Sequence, residues 1–175
     1  MADHIVSAFT DELDRLSADI LRMGGIVEQM IADAASAVLH NDVQLAGDVI
    51  ERDHQVDQIE GDVERQIVSL IARRQPMAHD LRSVFAALKV SGELERVGDL
   101  SKNMSKRALG LEAAVFPAMR SGVARMAQPV ARQLHLVLDA YASGNAAAAK
   151  AVWESDDEID QHYNALFREM LTYMI

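Results

Sequence analysis

A chain of 175 residues, half of them hydrophobic, a quarter charged and three of them proline, has room for one domain or two small repeated units and is too apolar for disorder. Seventeen basic against 27 acidic side chains leave a net charge of −10, which disfavours a nucleic-acid surface and adhesion to an anionic membrane. With no cysteine, disulfides, thiolate metal sites and cysteine nucleophiles are excluded, and any metal must be held mainly by oxygen, with histidine as the nitrogen option.

The opening MADHIVSAFTDELDRL is acidic and amphipathic, and no run approaches 18 apolar residues, so neither a signal peptide nor a membrane span is expected. The expected compartment is cytoplasmic. Ile5, Phe9, Leu13, Leu16, Ile20, Met23, Val27, Met30, Ala34 and Val38 recur every three or four residues and predict one long helix. His40-Asn41-Asp42 is a break, with Asn41 or Asp42 capping the next helix. A second apolar stripe through Val49, Val56, Val63, Ile67 and Leu70 ends at Arg73-Arg74-Gln75-Pro76, where proline forbids continuation and basic residues suit a helix C-terminus. A third helix is expected from about Met77 to Arg107, and a short connection lies between Gly110 and Pro117. A fourth runs from about Ala118 to Tyr141 with a kink at Pro129, and a fifth from Asn145 to the C-terminus. No segment alternates like a strand, so the fold expected is an all-α bundle.

Ten residues from Val49 align without gaps to ten from Val152, an offset of 103 positions: Val49, Glu51, Asp53, Asp57 and Gln58 recur as Val152, Glu154, Asp156, Asp160 and Gln161. Each copy follows a long amphipathic helix and a polar turn. The plan is two tandem three-helix-bundle repeats: residues 1–110, a connection at 111–117, and a second repeat at 118–175 that lacks its last helix. A shortened gene or a fragment is expected. Two helices cannot close a three-helix core, so the face meant for the missing one must pack on the first unit, pair with another chain or stay exposed.

On the second helix, Asp53, Asp57, Glu60 and Glu64 form an acidic border to the apolar face. Asp53 and Asp57 are four apart, roughly 5–6 Å at Cβ, and repel unless a cation sits between them. On the third helix, at 100° per residue, Glu95 and Asp99 fall within about 20° of Leu88 and so continue an apolar stripe, with Asn103 nearby. Buried carboxylates ask for a counter-charge, and a hard divalent or trivalent cation shared by Asp53, Asp57, Glu95 and Asp99 would supply it. The competing reading is that Val90, Leu94, Val97 and Met104 form the core face and that Glu95 and Asp99 meet water. Gly92 and Gly98, each costly in a helix, point to close approach, and Asp156 with Asp160 repeats the aspartate pair. Glu51 and His54 make one E-x-x-H, and a di-iron carboxylate enzyme would need a second. His54 reads as an exposed helix residue, Trp153 as packing, and the methionines at 23, 30, 104, 126 and 170 as core or interface filler. No phosphate loop, nucleophile elbow or serine–histidine–acid signature is present.

The run from Arg74 to Ala108, with Gln75-Pro76 leading into Asp80-Leu81-Arg82 and with Leu94-Glu95-Arg96-Val97-Gly98-Asp99 ahead of Asn103, closely resembles the first-repeat signature of the PhoU family of phosphate-transport accessory proteins. Phe9 to Leu16 and Met23-Gly24-Gly25 followed by Val27-Glu28 resemble its opening helix, and the likeness covers essentially the whole chain. The resemblance implies a cytoplasmic, non-enzymatic homodimer that restrains phosphate uptake and the phosphate-starvation response through the phosphate ABC transporter's ATPase subunit and a sensor histidine kinase. It meets the membrane only through those partners and does not bind nucleic acid. It also implies iron or zinc clusters, with Asp53, Asp57, Glu95 and Asp99 as the first ligand set and Asp156 and Asp160 as the start of an incomplete second. Arg96 would pair with a local carboxylate or a partner.

Overall fold

The structure is a computed structural model that describes residues 2–110 and 117–174. Six helices follow in order: α1 (Ala2–His40), α2 (Val43–Arg74), α3 (His79–Leu109), α4 (Pro117–Ala142), α5 (Ala146–Trp153) and α6 (Asp157–Met174). Among the described residues there is no strand. The side chain of Ile5 and the predicted connection at 111–116 lie outside the described residues.

The helix boundaries follow from local chemistry. Asp42 caps α2, its carboxylate accepting the Leu45 N–H at 3.0 Å. Gln75 closes α2 in the left-handed region, its N–H donating to the Ile71 carbonyl at 3.1 Å, immediately before Pro76. The helix α3 begins at His79, two residues later than the pattern predicts, and α4 continues through Pro129.

Helices α1, α2 and α3 pack on one another, and α4 packs on α1. The shared core holds Leu16, Ile20, Met23, Val27 and Met30 of α1, Val49, Val56, Val63, Ile67 and Leu70 of α2, and Val84, Ala87 and Leu94 of α3, with Leu138 of α4. At the α1–α4 crossing a Cβ on Gly24 would stand 2.5 Å from Leu138 Cδ1, so glycine lets the two rods meet. Ion pairs fix the register of α2 on α1: Arg52 with Asp33 at 2.6 Å and Arg74 with Glu12 at 3.2 Å.

The internal repeat holds at atomic detail. Asn41 (φ 57°) and Gly144 (φ 61°), 103 residues apart, both take the left-handed conformation. The caps match too: Asn145 accepts the Ala148 N–H at 3.0 Å as Asp42 accepts that of Leu45. The Asp42 and Asn145 amides reach back to the carbonyls of Ala37 and Ala140 at 3.0 and 2.8 Å.

The second unit departs from the first after Trp153. Where one fifth helix was expected, residues 154–156 interrupt it. The Ser155 hydroxyl donates to the Val152 carbonyl at 2.7 Å, and the Gln133 amide donates to the Ser155 carbonyl at 2.9 Å, taking that acceptor from the helical ladder. Five carboxylates within residues 154–160 also repel one another at helical spacing. Among the described residues α5 and α6 pack on α4 alone, and α5 buries none of its residues.

The two units should therefore respond unequally to truncation. Ile67, 3 % exposed, and its repeat equivalent Met170, 39 % exposed, make the comparison. Ile67→Ala is expected to lower stability by about 2–5 kcal/mol and Met170→Ala by no more than about 0.5 kcal/mol, measured by urea unfolding.

Candidate functional site

The face that α3 turns inward consists of Val84, Ala87, Ser91, Leu94, Gly98, Ser101, Ser105 and Ala108, all buried. It lies between the two stripes that hydrophobicity alone suggests, because serine and glycine supply half of it. Ser91 and Ser101 return their hydroxyls to the carbonyls of Leu88 and Val97 at 2.9 and 3.0 Å, which lets these polar residues enter a dry contact. A Cβ on Gly98 would lie 3.4 Å from Val56 Cγ1, 3.7 Å from Val27 Cγ2 and 3.8 Å from Asp53 Oδ1, so α3 seats closely over α1 and α2.

That approach brings the acidic border of α2 against α3. Asp53 is buried, at 2 % exposure. Its Oδ2 accepts from Lys102 Nζ at 2.5 Å, and the same ammonium lies 2.5 Å from Asp99 Oδ1. Asp99 takes a further bond from the Asn103 amide at 3.1 Å. Hydrogen bonding from Lys102 holds the Asp99 carboxyl below its ordinary range, and the two aspartates hold the Lys102 ammonium above its own. Glu95 is half-buried and its pKa is raised, first by burial and then by Asp99, Asp57 and Asp53. Glu60 is raised by burial and by Glu95, Glu64 and Asp57.

The four carboxylates expected to gather, Asp53, Asp57, Glu95 and Asp99, do share one seam between α2 and α3. Asp57 is exposed and acts on the others through space rather than by contact with Lys102. Asp156 stands exposed at the α5–α6 break and Asp160 exposed on the first turn of α6; among the described residues neither α5 nor α6 packs on α2 or α3.

Sequence reasoning missed Lys102, whose signal was its place three residues after Asp99 and four after Gly98. Glu60 was visible as part of the acidic border but not as a member of the site. Trp153, expected to pack, is 78 % exposed because among the described residues no helix covers that side of α5. Glu51 and His54 are both exposed, and Arg96 reaches Glu93 at 4.0 Å on the surface.

A hard cation suits the chemistry of this donor set, but the arrangement of the side chains does not fit a metal cluster. Among the described residues, no three histidine, aspartate or glutamate side chains converge on a position that would hold a metal ion. The cation on which Asp53 and Asp99 do converge is the ammonium of Lys102.

The PhoU domain matches residues 20–108 and 123–175. The chain belongs to the PhoU family. Among the PhoU relatives, the phosphate-specific transport system accessory protein PhoU homolog of Caulobacter vibrioides is 46 % identical over all of this chain and 76 % of its own length. The homolog of Rhizobium meliloti is 42 % identical over 98 % of this chain and 73 % of its own. The PhoU of Escherichia coli is 34 % identical over 98 % and 71 %. The crystal structure of PhoU from Pseudomonas aeruginosa superposes with a TM-score of 0.89 at 35 % identity, covering 95 % of this chain and 80 % of that one. The all-helical PhoU architecture is thus established for this chain. Among its described residues no helix is long and apolar enough to cross a membrane.

Two predictions test the seam. Lys102→Met leaves Asp53 buried without its cation and is expected to cost about 3–5 kcal/mol, most of it recovered when Asp53→Asn is added; urea unfolding of the double-mutant cycle checks this. Glu95, with its folded pKa raised, contributes stability that is full below the ordinary glutamate value and is lost as pH rises through the folded one. Glu95→Gln should therefore raise Tm at pH 7 by on the order of 1–2 °C, and the gain should vanish below about pH 4.3. Thermal melts across pH measure it.

Proposed function

We propose that this chain is an accessory regulator of phosphate-specific transport. It binds the ATPase subunit of a phosphate ABC transporter and the cytoplasmic region of a sensor histidine kinase, and it restrains both phosphate uptake and the starvation response. The observation that carries this reading is the match, over nearly the full chain, to relatives named as accessory proteins of that transport system. The surface is compatible with action by contact: Val68 of α2 and Phe85 and Leu100 of α3 are each more than half exposed. Docking restrains a partner only when it favours that partner's inactive state over its active one, so the chain must discriminate between the two conformations. No catalytic step enters, and none passes through a metal, since Lys102 already meets the charge requirement of Asp53 and Asp99. The work is cytoplasmic because an ATPase subunit and a kinase domain present their surfaces there.

The test is direct binding of the chain to the isolated ATPase subunit and to the kinase's cytoplasmic region over a range of phosphate concentrations, beside a starvation-response reporter in cells lacking the protein. Retention on at least one partner and restored repression are expected. Phe85→Asp and Leu100→Asp should weaken retention about tenfold or more with Tm unchanged. If neither partner holds the chain at any phosphate level, the reading fails.

A further inference from the structure

The outer face of α3 carries the opposite sign from the rest of the chain. Helix α3 holds six lysines and arginines against four aspartates and glutamates, while the remaining residues sum to a charge of −12. One of the six, Lys102, is committed to Asp53 and Asp99. At 100° per residue, Arg82, Phe85, Lys89, Arg96, Leu100 and Arg107 fall within an arc of about 60°, opposite the inner face, and no carboxylate shares that arc. All six are exposed, Phe85 at 51 % and Leu100 at 62 %. Among the described residues α3 packs on α1 and α2 alone, so no helix covers this stripe, which is about 37 Å long. Its cations are uncommitted as well. Among the described residues Arg82, Lys89 and Arg107 make no ion pair, and Arg96 meets Glu93 at 4.0 Å.

We infer that this stripe docks an acidic amphipathic α-helix of a separate protein. Arg82, Lys89 and Arg96 recur every seven residues, the interval at which a second helix can track a first. The partner helix sets glutamates or aspartates against these cations and lays its apolar side on Phe85 and Leu100. Charge selects this occupant over broader ones. An anionic lipid surface, a nucleic acid or a second copy meets the whole chain with its net charge of −10 and is repelled. A single helix is about 10 Å across, close to the Debye length at physiological salt, so it senses the stripe and little beyond it. Along one flank, Asp57, Glu60 and Glu95 repel a carboxylate that strays from the stripe, which fixes the lateral position of the partner. The inference shares Phe85 and Leu100 with the proposed function and adds the chemistry of the surface they meet. Its test uses neither the ATPase subunit nor the kinase, so the two readings can fail separately.

The probe is a synthetic amphipathic peptide as long as the stripe, labelled with fluorescein, with leucine on one face and glutamate at seven-residue intervals beside it. The same peptide with lysine in place of glutamate is its control. Fluorescence anisotropy on titration with the 175-residue protein should rise saturably for the glutamate peptide. The lysine peptide should bind about tenfold or more weakly. The triple variant Arg82→Glu, Lys89→Glu, Arg96→Glu, with all three changes at exposed positions, should keep its helicity and reverse the preference between the two peptides. The inference is overturned if the glutamate peptide gives no saturable rise, if the two peptides bind alike, or if the triple variant binds as the parent does. It is also overturned if phosphatidylserine vesicles sediment the parent and not the triple variant, which would make a membrane the occupant. A dimer of the parent in sedimentation that the triple variant lacks overturns it too, in favour of a second copy.

Discussion

The carboxylate of Asp53, buried at the meeting of three helices, sets the terms for the rest of the first unit. An isolated charge there would cost several kcal/mol, so the helix that covers it must bring a cation. Lys102 is that cation, and its position fixes two further features of α3. The turn before it must be narrow enough for the backbone to come close, hence Gly98. The second carboxylate, Asp99, must lie three residues before it on the same helix so that the ammonium is held from both sides. Ser91 and Ser101 of the inner face satisfy their hydroxyls within their own helix and leave its width small. Charge and packing here are one arrangement, because the close approach that buries Asp53 is also what brings Lys102 within reach.

The same chain carries the experiment in which that arrangement is left out. The turns at 41–42 and 144–145 match in backbone conformation, cap and hydrogen bonding, so local sequence builds both hairpins alike. They diverge where tertiary contact should take over. The first unit has α3, and α2 runs unbroken for 32 residues. Among the described residues the second has no such cover, and its corresponding helix breaks at the aspartate equivalent to Asp53. Most of the stability of a helix in a protein comes from the face it buries. An uncovered face rich in like charges is where a helix gives way.

Much of this was legible in the sequence. Long helical stripes, Asp42 and Gln75-Pro76 as boundaries, and the repeat all rest on local rules, and the structure follows them. The gathering of Asp53, Asp57, Glu95 and Asp99 along one seam was legible from helical angles. What periodicity could not show was the inner face of α3. Hydrophobicity marks apolar residues, whereas that contact is made by glycine and serine, and the two visible stripes are its flanks. Lys102 escaped for a related reason: a lysine reads as solvent-facing by default, and its burial depends on a partner 49 residues away. Trp153 was misjudged because a packing role presumes a neighbour, and among the described residues α5 packs on α4 alone.

Seen this way, the two acidic repeats differ in what neutralises them. In the first, α3 supplies a lysine from within the described chain, while burial and then the neighbouring carboxylates raise the pKa values of Glu60 and Glu95. In the second, Asp156 and Asp160 stand exposed beside three further carboxylates.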